Sequence, residues 1–177
     1  KGEGPATNPI EEFHRLGMLW GSEEKRKEGP MEHPFVAENA RERTRLRALV
    51  SRLNDHDYGV KVGGGWTVAA TLAHMAFWDQ LALVRILRWK GGGVSSSALD
   101  LDLINDALLP LFLAIPPRST ADLAIAAAEA VDRELQQLST EMVADIQVSG
   151  GRLRLFRSEH RQKHLDQVEA ALKSRRS

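Results

Sequence analysis

The sequence predicts an all-α protein: a four-helix bundle with an extra short helix between the second and third long helices. Three observations carry that expectation. Apolar residues recur at three- and four-residue intervals through four long segments, the period of helices with one buried face. Breaks rich in glycine, serine or proline separate those segments, at 62–65, 91–97, 116–117 and 148–151. No stretch alternates apolar and polar residues convincingly enough to read as a strand. Four amphipathic helices joined in this way hide their apolar faces most simply against one another.

Composition agrees and narrows the function classes. The chain has 177 residues, 42% hydrophobic and 27% charged, which suits one globular domain with a sizeable core. Lysine plus arginine number 24, as do aspartate plus glutamate, so no net charge calls for nucleic acid or an anionic membrane. There is no cysteine, which removes disulfides, cysteine zinc sites and a cysteine nucleophile, and agrees with a cytoplasmic protein. No apolar run reaches the roughly 20 residues that a membrane-spanning helix needs. The expected partner is a small molecule, neither nucleic acid nor membrane, and a homodimer is allowed.

Taken in order, residues 1–30 read as an N-terminal extension or added sequence. Asn8-Pro9 would start a short amphipathic patch with Ile10, Phe13, Leu16 and Trp20 on one face. The domain is expected over 31–177. Its first helix should run from about Pro34 to Leu53, with Val36, Ala40, Leu46, Leu49, Val50 and Leu53 inward. Arg41, Arg45 and Arg52 share another face, and the interleaved Glu38 and Glu42 make it a salt-bridged solvated surface. His56, among carboxylates, reads as a surface turn. The second helix spans about Trp66 to Trp89, with Thr67 as a weak cap and Ala70, Ala73, His74, Phe77, Leu81 and Val84 on its stripe. A short helix follows, about Ala98 to Leu109. A third long helix covers about Thr120 to Val143, its stripe being Leu123, Ala127, Ala130, Val131, Glu134, Leu135 and Leu138. The fourth covers about Arg152 to Lys173, with the glycines at 63–65, 91–93 and 150–151 outside the main helices.

The chemistry concentrates in that last helix. His160 and His164 stand four residues apart, so their imidazoles project from one face about a turn apart. The stripe is otherwise apolar, with Leu153, Phe156, Val168 and Ala171, and a buried histidine is costly unless its nitrogens are satisfied. Six scattered histidines would give some pair at that spacing about one time in six by chance. More telling, His74 lies on the apolar face of its own helix, while His14, His33 and His56 fall in loops or the extension. Metal sites in bundles are built from such inward side chains, and His74, His160 and His164 are the candidate ligands. A core histidine satisfied by a carbonyl or carboxylate is the competing account.

The segment from Gly65-Trp66-Thr67 through Leu72-Ala73-His74 to Phe77-Trp78 resembles the second-helix signature of the DinB/YfiT-like superfamily. Glu159-His160 to His164-Leu165 is similar to that family's closing His-x-x-x-His-Leu helix. The likeness also takes in the capless first helix and the linker Asp102-Leu103-Ile104-Asn105, and so spans residues 31–175. It implies a four-helix bundle holding a divalent ion on three histidines, here His74, His160 and His164. Zinc or nickel is the expected ion, although three imidazoles also suit copper and iron. Characterised members include thiol-dependent S-transferases and a mycothiol-dependent maleylpyruvate isomerase. That isomerase branch carries a carboxylate where this chain has His160.

Two function classes follow. The first is a metal-dependent enzyme, of S-transferase or hydrolase type, acting on a small molecule. Such an ion can lower the pKa of bound water, polarise a carbonyl or hold a thiol as thiolate. With no cysteine in the chain, the thiol would be a low-molecular-weight cosubstrate. The second class is a noncatalytic bundle with a structural metal or a stress-related binding role. Peptide hydrolysis is disfavoured because Arg161 stands where a His-Glu-x-x-His motif needs glutamate. No general base is evident; Asn105, Asp79 and Glu159 are near candidates, with Glu159 about 100° off the His160 face.

Overall fold

A computed structural model describes residues 33–95, 100–149 and 152–176, and they are almost wholly helical. Helix α1 (Pro34–Val50) opens with proline at its first turn and, as expected, without a side-chain cap. Its buried residues are Phe35, Asn39, Glu42, Leu46 and Leu49, spaced four and three apart. Of the expected inner face only Leu46 and Leu49 are buried, and the helix ends before Leu53. Two polar residues occupy the stripe in place of Val36 and Ala40. The arginine face is salt-bridged as expected, Arg45 pairing with Glu42, Asp166 and Glu169 and Arg52 with Glu169, but Glu42, expected on the solvated surface, is buried.

A small hairpin precedes the central helix, a departure from the strand-free expectation. Strand β1 (Lys61–Gly63) pairs antiparallel with β2 (Trp66–Thr67). Gly64 and Gly65 link them at φ 51° and 83°, the positive values that a type I′ turn demands at both central positions. The glycines therefore turn the chain back and do not merely interrupt it. Val68 N–H then bonds to the Val60 carbonyl, which fixes where the next helix starts.

Helix α2 (Val68–Gly92) is capped by Thr67, whose Oγ1 accepts from Ala70 N–H at 3.1 Å. Every residue from Val68 to Ala76 is buried, so this half runs through the core with no solvent face. Beyond it only Asp79, Ala82, Ile86 and Trp89 stay buried. Leu81 and Val84, expected inward, are half-buried, because the stripe runs through Asp79 and is one position out of phase with them. Gly91 and Gly92 belong to the helix, which stops where Gly93 adopts φ 81°. The start of the short helix expected at Ala98 lies outside the described residues; α3 (Leu101–Ala114) is capped by Asp100, contains Pro110 and packs on α2.

The expected third long helix is two helices. Helix α4 (Pro117–Gln136) ends, and Ser139 caps α5 (Thr140–Val148) by accepting from Met142 N–H. Leu123, placed on the inner stripe, is 48% exposed, while Ala121, Ala124, Ala128, Val131 and Leu135 are buried. A short α6 (Arg152–Leu155) and the long α7 (Arg157–Arg176) complete the chain, with Phe156 buried between them. Expectations for 1–30, Gly150, Gly151 and the Leu153 side chain fall outside the described residues. Helix α2 packs along α4, α1 lies against both α7 and α4, and α7 also touches α2. No helix among the described residues is long and apolar enough to cross a membrane. In urea melts, Ile86→Ala is expected to cost about 2–5 kcal/mol and Leu123→Ala under about 1 kcal/mol, since only the first leaves a cavity.

Candidate metal centre

His74 enters from the buried half of α2, and His160 and His164 come from consecutive turns of α7, which touches α2. The three rings meet. His74 Nε2 lies 3.1 Å from His160 Nε2 and 3.1 Å from His164 Nε2, and the three ligand atoms all fall within 4.8 Å of one another. Tetrahedral zinc with bonds of 2.0–2.1 Å would separate its nitrogens by about 3.3 Å, and octahedral coordination by about 3 Å, so the two 3.1 Å spacings are compatible with a shared cation as well as with hydrogen bonds between the rings. His74 is 6% exposed, whereas His160 and His164 are half-buried. Trp66, Trp78 and Phe112 present edge contacts to the His74 ring at 5.3, 6.1 and 6.4 Å. The remaining described histidines lie elsewhere: His33 stacks on Phe35, and His56 is an exposed turn residue.

The hydrogen-bond chemistry of the rings bears on what they can hold. His164 Nδ1 faces Gln167 Oε1 at 2.9 Å; an amide oxygen only accepts, so Nδ1 carries the proton and Nε2 keeps a lone pair. That is the tautomer a metal needs. His160 Nδ1 faces Arg157 at 3.3 Å, a long contact that favours the opposite tautomer and must yield if Nε2 is to bind a cation. His74 Nδ1 is buried with no hydrogen-bond partner among the described residues. Three Nε2 atoms converging in this way cannot all be satisfied by exchanging protons, because a neutral ring has one N–H for two nitrogens. A cation satisfies all three together. The residues therefore fit a divalent ion.

Burial is the main reason the three rings resist protonation. It drives His74 down to about 3 from its usual 6.5, with His164, Lys163 and Arg157 adding like-charge repulsion. His160 lies well below its usual value, by burial and then by Arg157. Burial lowers His164 as well, against the Gln167 hydrogen bond. Protons then bind the unfolded chain more readily than the folded one, so stability is full above pH 6.5 and falls as pH drops below it. For metal-free protein, His74 alone is expected to cost about 2 kcal/mol between pH 7.5 and 5, mostly above the range where carboxylates titrate. A urea midpoint that stayed flat over that window would contradict neutral burial of the rings.

Beside the histidines is a buried ionic cluster that sequence periodicity does not reveal. Arg161 is completely buried; its Nε donates to Asp79 Oδ2 at 2.9 Å, and Nη1 and Nη2 donate to Asp132 at 3.0 and 2.9 Å. Nη1 and Nη2 also reach the carbonyls of Asn39 and Ala128 at 3.3 Å. Burial works against this cation, but Asp79 and Asp132 outweigh it and raise its pKa. Arg157 Nε donates to the other Asp79 oxygen at 2.7 Å, and Arg43 pairs with Asp132. Asn39 ties α1 to the same place, donating to Leu155 O and accepting from Ser158 N–H, both at 2.8 Å. The cluster anchors the first turns of α7, which carry His160. Asp79, a general-base candidate from sequence, thus has both oxygens committed to arginines. Asn105 Oδ1 accepts from Trp78 Nε1 at 3.2 Å, and Glu159 is half-buried.

The sequence profile described as the DinB superfamily matches residues 38–168. No curated protein and no solved structure matches the chain. The matched span holds all three histidines and reaches from the first turns of α1 into α7, so the chain belongs to the DinB superfamily.

Proposed function

We propose that His74, His160 and His164 hold one divalent metal ion, zinc or nickel, and that the helices form the DinB-type four-helix bundle around it. The convergence of three Nε2 atoms carries the reading. Two features favour an enzyme acting on a small molecule, of thiol S-transferase or hydrolase type, over a purely structural clamp. Three neutral imidazoles leave the ion's charge uncompensated, and catalytic sites characteristically keep a position free beside three protein ligands. His160 and His164 are also half-buried, so one side of the site is within reach of solvent. When bound, the ion supplies Lewis acidity toward water, a carbonyl or a thiol.

The chain's own residues do the rest. Gln167 holds the His164 tautomer, the Asp79–Arg157–Arg161 cluster fixes the start of α7, and Trp66, Trp78 and Phe112 shield His74. Metal analysis of protein purified without a nickel resin tests the reading. One equivalent of zinc or nickel is expected, and protein that takes up no divalent ion overturns it. Loading with cobalt separates the classes: an open position gives a spectrum that small thiols change, whereas a closed shell does not respond.

A further inference from the structure

The two histidines of α7 have opposite partners at their outer nitrogens, and each partner stands three residues away on the same helix. Gln167, after His164, presents Oε1 to its Nδ1 at 2.9 Å. Arg157, before His160, presents Nη2 to its Nδ1 at 3.3 Å. An amide oxygen only accepts and a guanidinium only donates, so the first contact places the ring hydrogen on Nδ1 and the second places it on Nε2. A histidine that binds metal through Nε2 characteristically donates Nδ1–H to an acceptor, as His164 does to Gln167. His160 meets a donor where that acceptor belongs.

The contact is anchored in the core. Arg157 is 5% exposed, and its Nε donates to Asp79 Oδ1 at 2.7 Å, which fixes the plane of the guanidinium. Asp79 is held in turn by Arg161, whose Nε donates to Oδ2 at 2.9 Å. Turning Arg157 away from His160 therefore disturbs a buried ion pair. Across the ring, His160 Nε2 lies 3.1 Å from His74 Nε2. The Nε2–H that Arg157 imposes donates to His74, so a hydrogen bond between the rings stands where the ion would bind.

We infer that Arg157 is a positioning residue that opposes metal ligation by His160 and makes it the ligand the centre releases most readily. The inference rests on the metal-site reading and goes beyond it by ranking the ligands. The ring stays neutral throughout: ligation moves its hydrogen from Nε2 to Nδ1, and Arg157 must give up its contact when that happens. A ligand held in this way gives way to an incoming small molecule while His74 and His164 keep the ion.

Nitrogen NMR shifts of the imidazoles in metal-free wild type read the hydrogen positions without any substitution. His160 is expected to carry its hydrogen on Nε2 and His164 on Nδ1; His160 with its hydrogen on Nδ1 overturns the inference. Arg157→Gln exchanges the donor for an acceptor, as at Gln167. It should move the His160 hydrogen to Nδ1 and bind zinc about tenfold tighter in competition with a chromophoric chelator. Arg157→Lys keeps a donor and a positive charge, and should keep the tautomer and the wild-type affinity. A merely structural Arg157 would give the reverse, weaker zinc binding in Arg157→Gln, and that result overturns the inference. So does an equal gain in Arg157→Met, which removes the charge and supplies no acceptor. If Arg157→Gln does not fold, the wild-type tautomers decide. Wild-type protein that takes up no zinc removes the metal reading itself, an outcome distinct from a zinc site indifferent to the exchange at Arg157.

Discussion

Any one of His74→Ala, His160→Ala and His164→Ala is expected to lower zinc affinity by about two to three orders of magnitude. Structural zinc sites bind with about 10–16 kcal/mol, which spread over four ligands is about 2.5–4 kcal/mol each. Among the described residues the three rings supply all the protein donors that the geometry brings together, so none is redundant. Competition with a chromophoric chelator measures the loss. His33→Ala and His56→Ala should leave affinity unchanged, since His33 stacks on Phe35 and His56 lies in an exposed turn. Zinc should raise the melting temperature of the wild type and leave that of the three variants unchanged, because an ion stabilises only the state that binds it. A histidine variant that kept wild-type affinity would end the three-ligand reading. Acid should act in the same direction as the substitutions, because protonation of a ring removes its lone pair.

The three histidines were legible because each sits where a simple rule applies. His160 and His164 are four apart in a helix, and His74 lies on a stripe of alanines and large apolar residues, so facing helices bring them together. The helical class was legible for the same reason. The buried ions were not. Arg161, Asp79, Asp132 and Glu42 are buried, and a pattern that counts charge as surface assigns them outward. That error has a visible consequence in α2, where Asp79 holds an inward position and Leu81 and Val84 are displaced to the flanks. The end of α4 left no glycine or proline to find; Ser139 caps the next helix with a single hydroxyl. The hairpin did leave a signal. Val60-Lys61-Val62 and Trp66-Thr67 flank three glycines, a pattern that marks a tight turn between strand-forming residues as well as a break.

Asp79→Ala is expected to be among the most destabilising single substitutions in this protein, at about 3–5 kcal/mol in urea melts at pH 7.5. The reason is what it leaves behind. Arg157 and Arg161 each lose an acceptor at once, and Arg161 is wholly buried where no water can replace the carboxylate. Asp132 still neutralises Arg161 in part, with oxygens at 2.9 and 3.0 Å, which keeps the loss within the range for one broken buried pair. Asp79→Asn retains an acceptor oxygen and should cost less than Asp79→Ala. Glu169→Ala supplies the contrast. Glu169 also contacts two arginines, Arg45 at 2.7 Å and Arg52 at 2.7 Å, but at a partly exposed surface where such pairs contribute little. Its loss should cost under about 1 kcal/mol and should shrink further in 1 M salt, while the Asp79→Ala deficit persists because buried charges are poorly screened. Two variants of equal stability, or an Asp79→Ala deficit that salt erased, would mean that the α2–α7 ion cluster is open to water and does not hold the helix that carries His160 and His164.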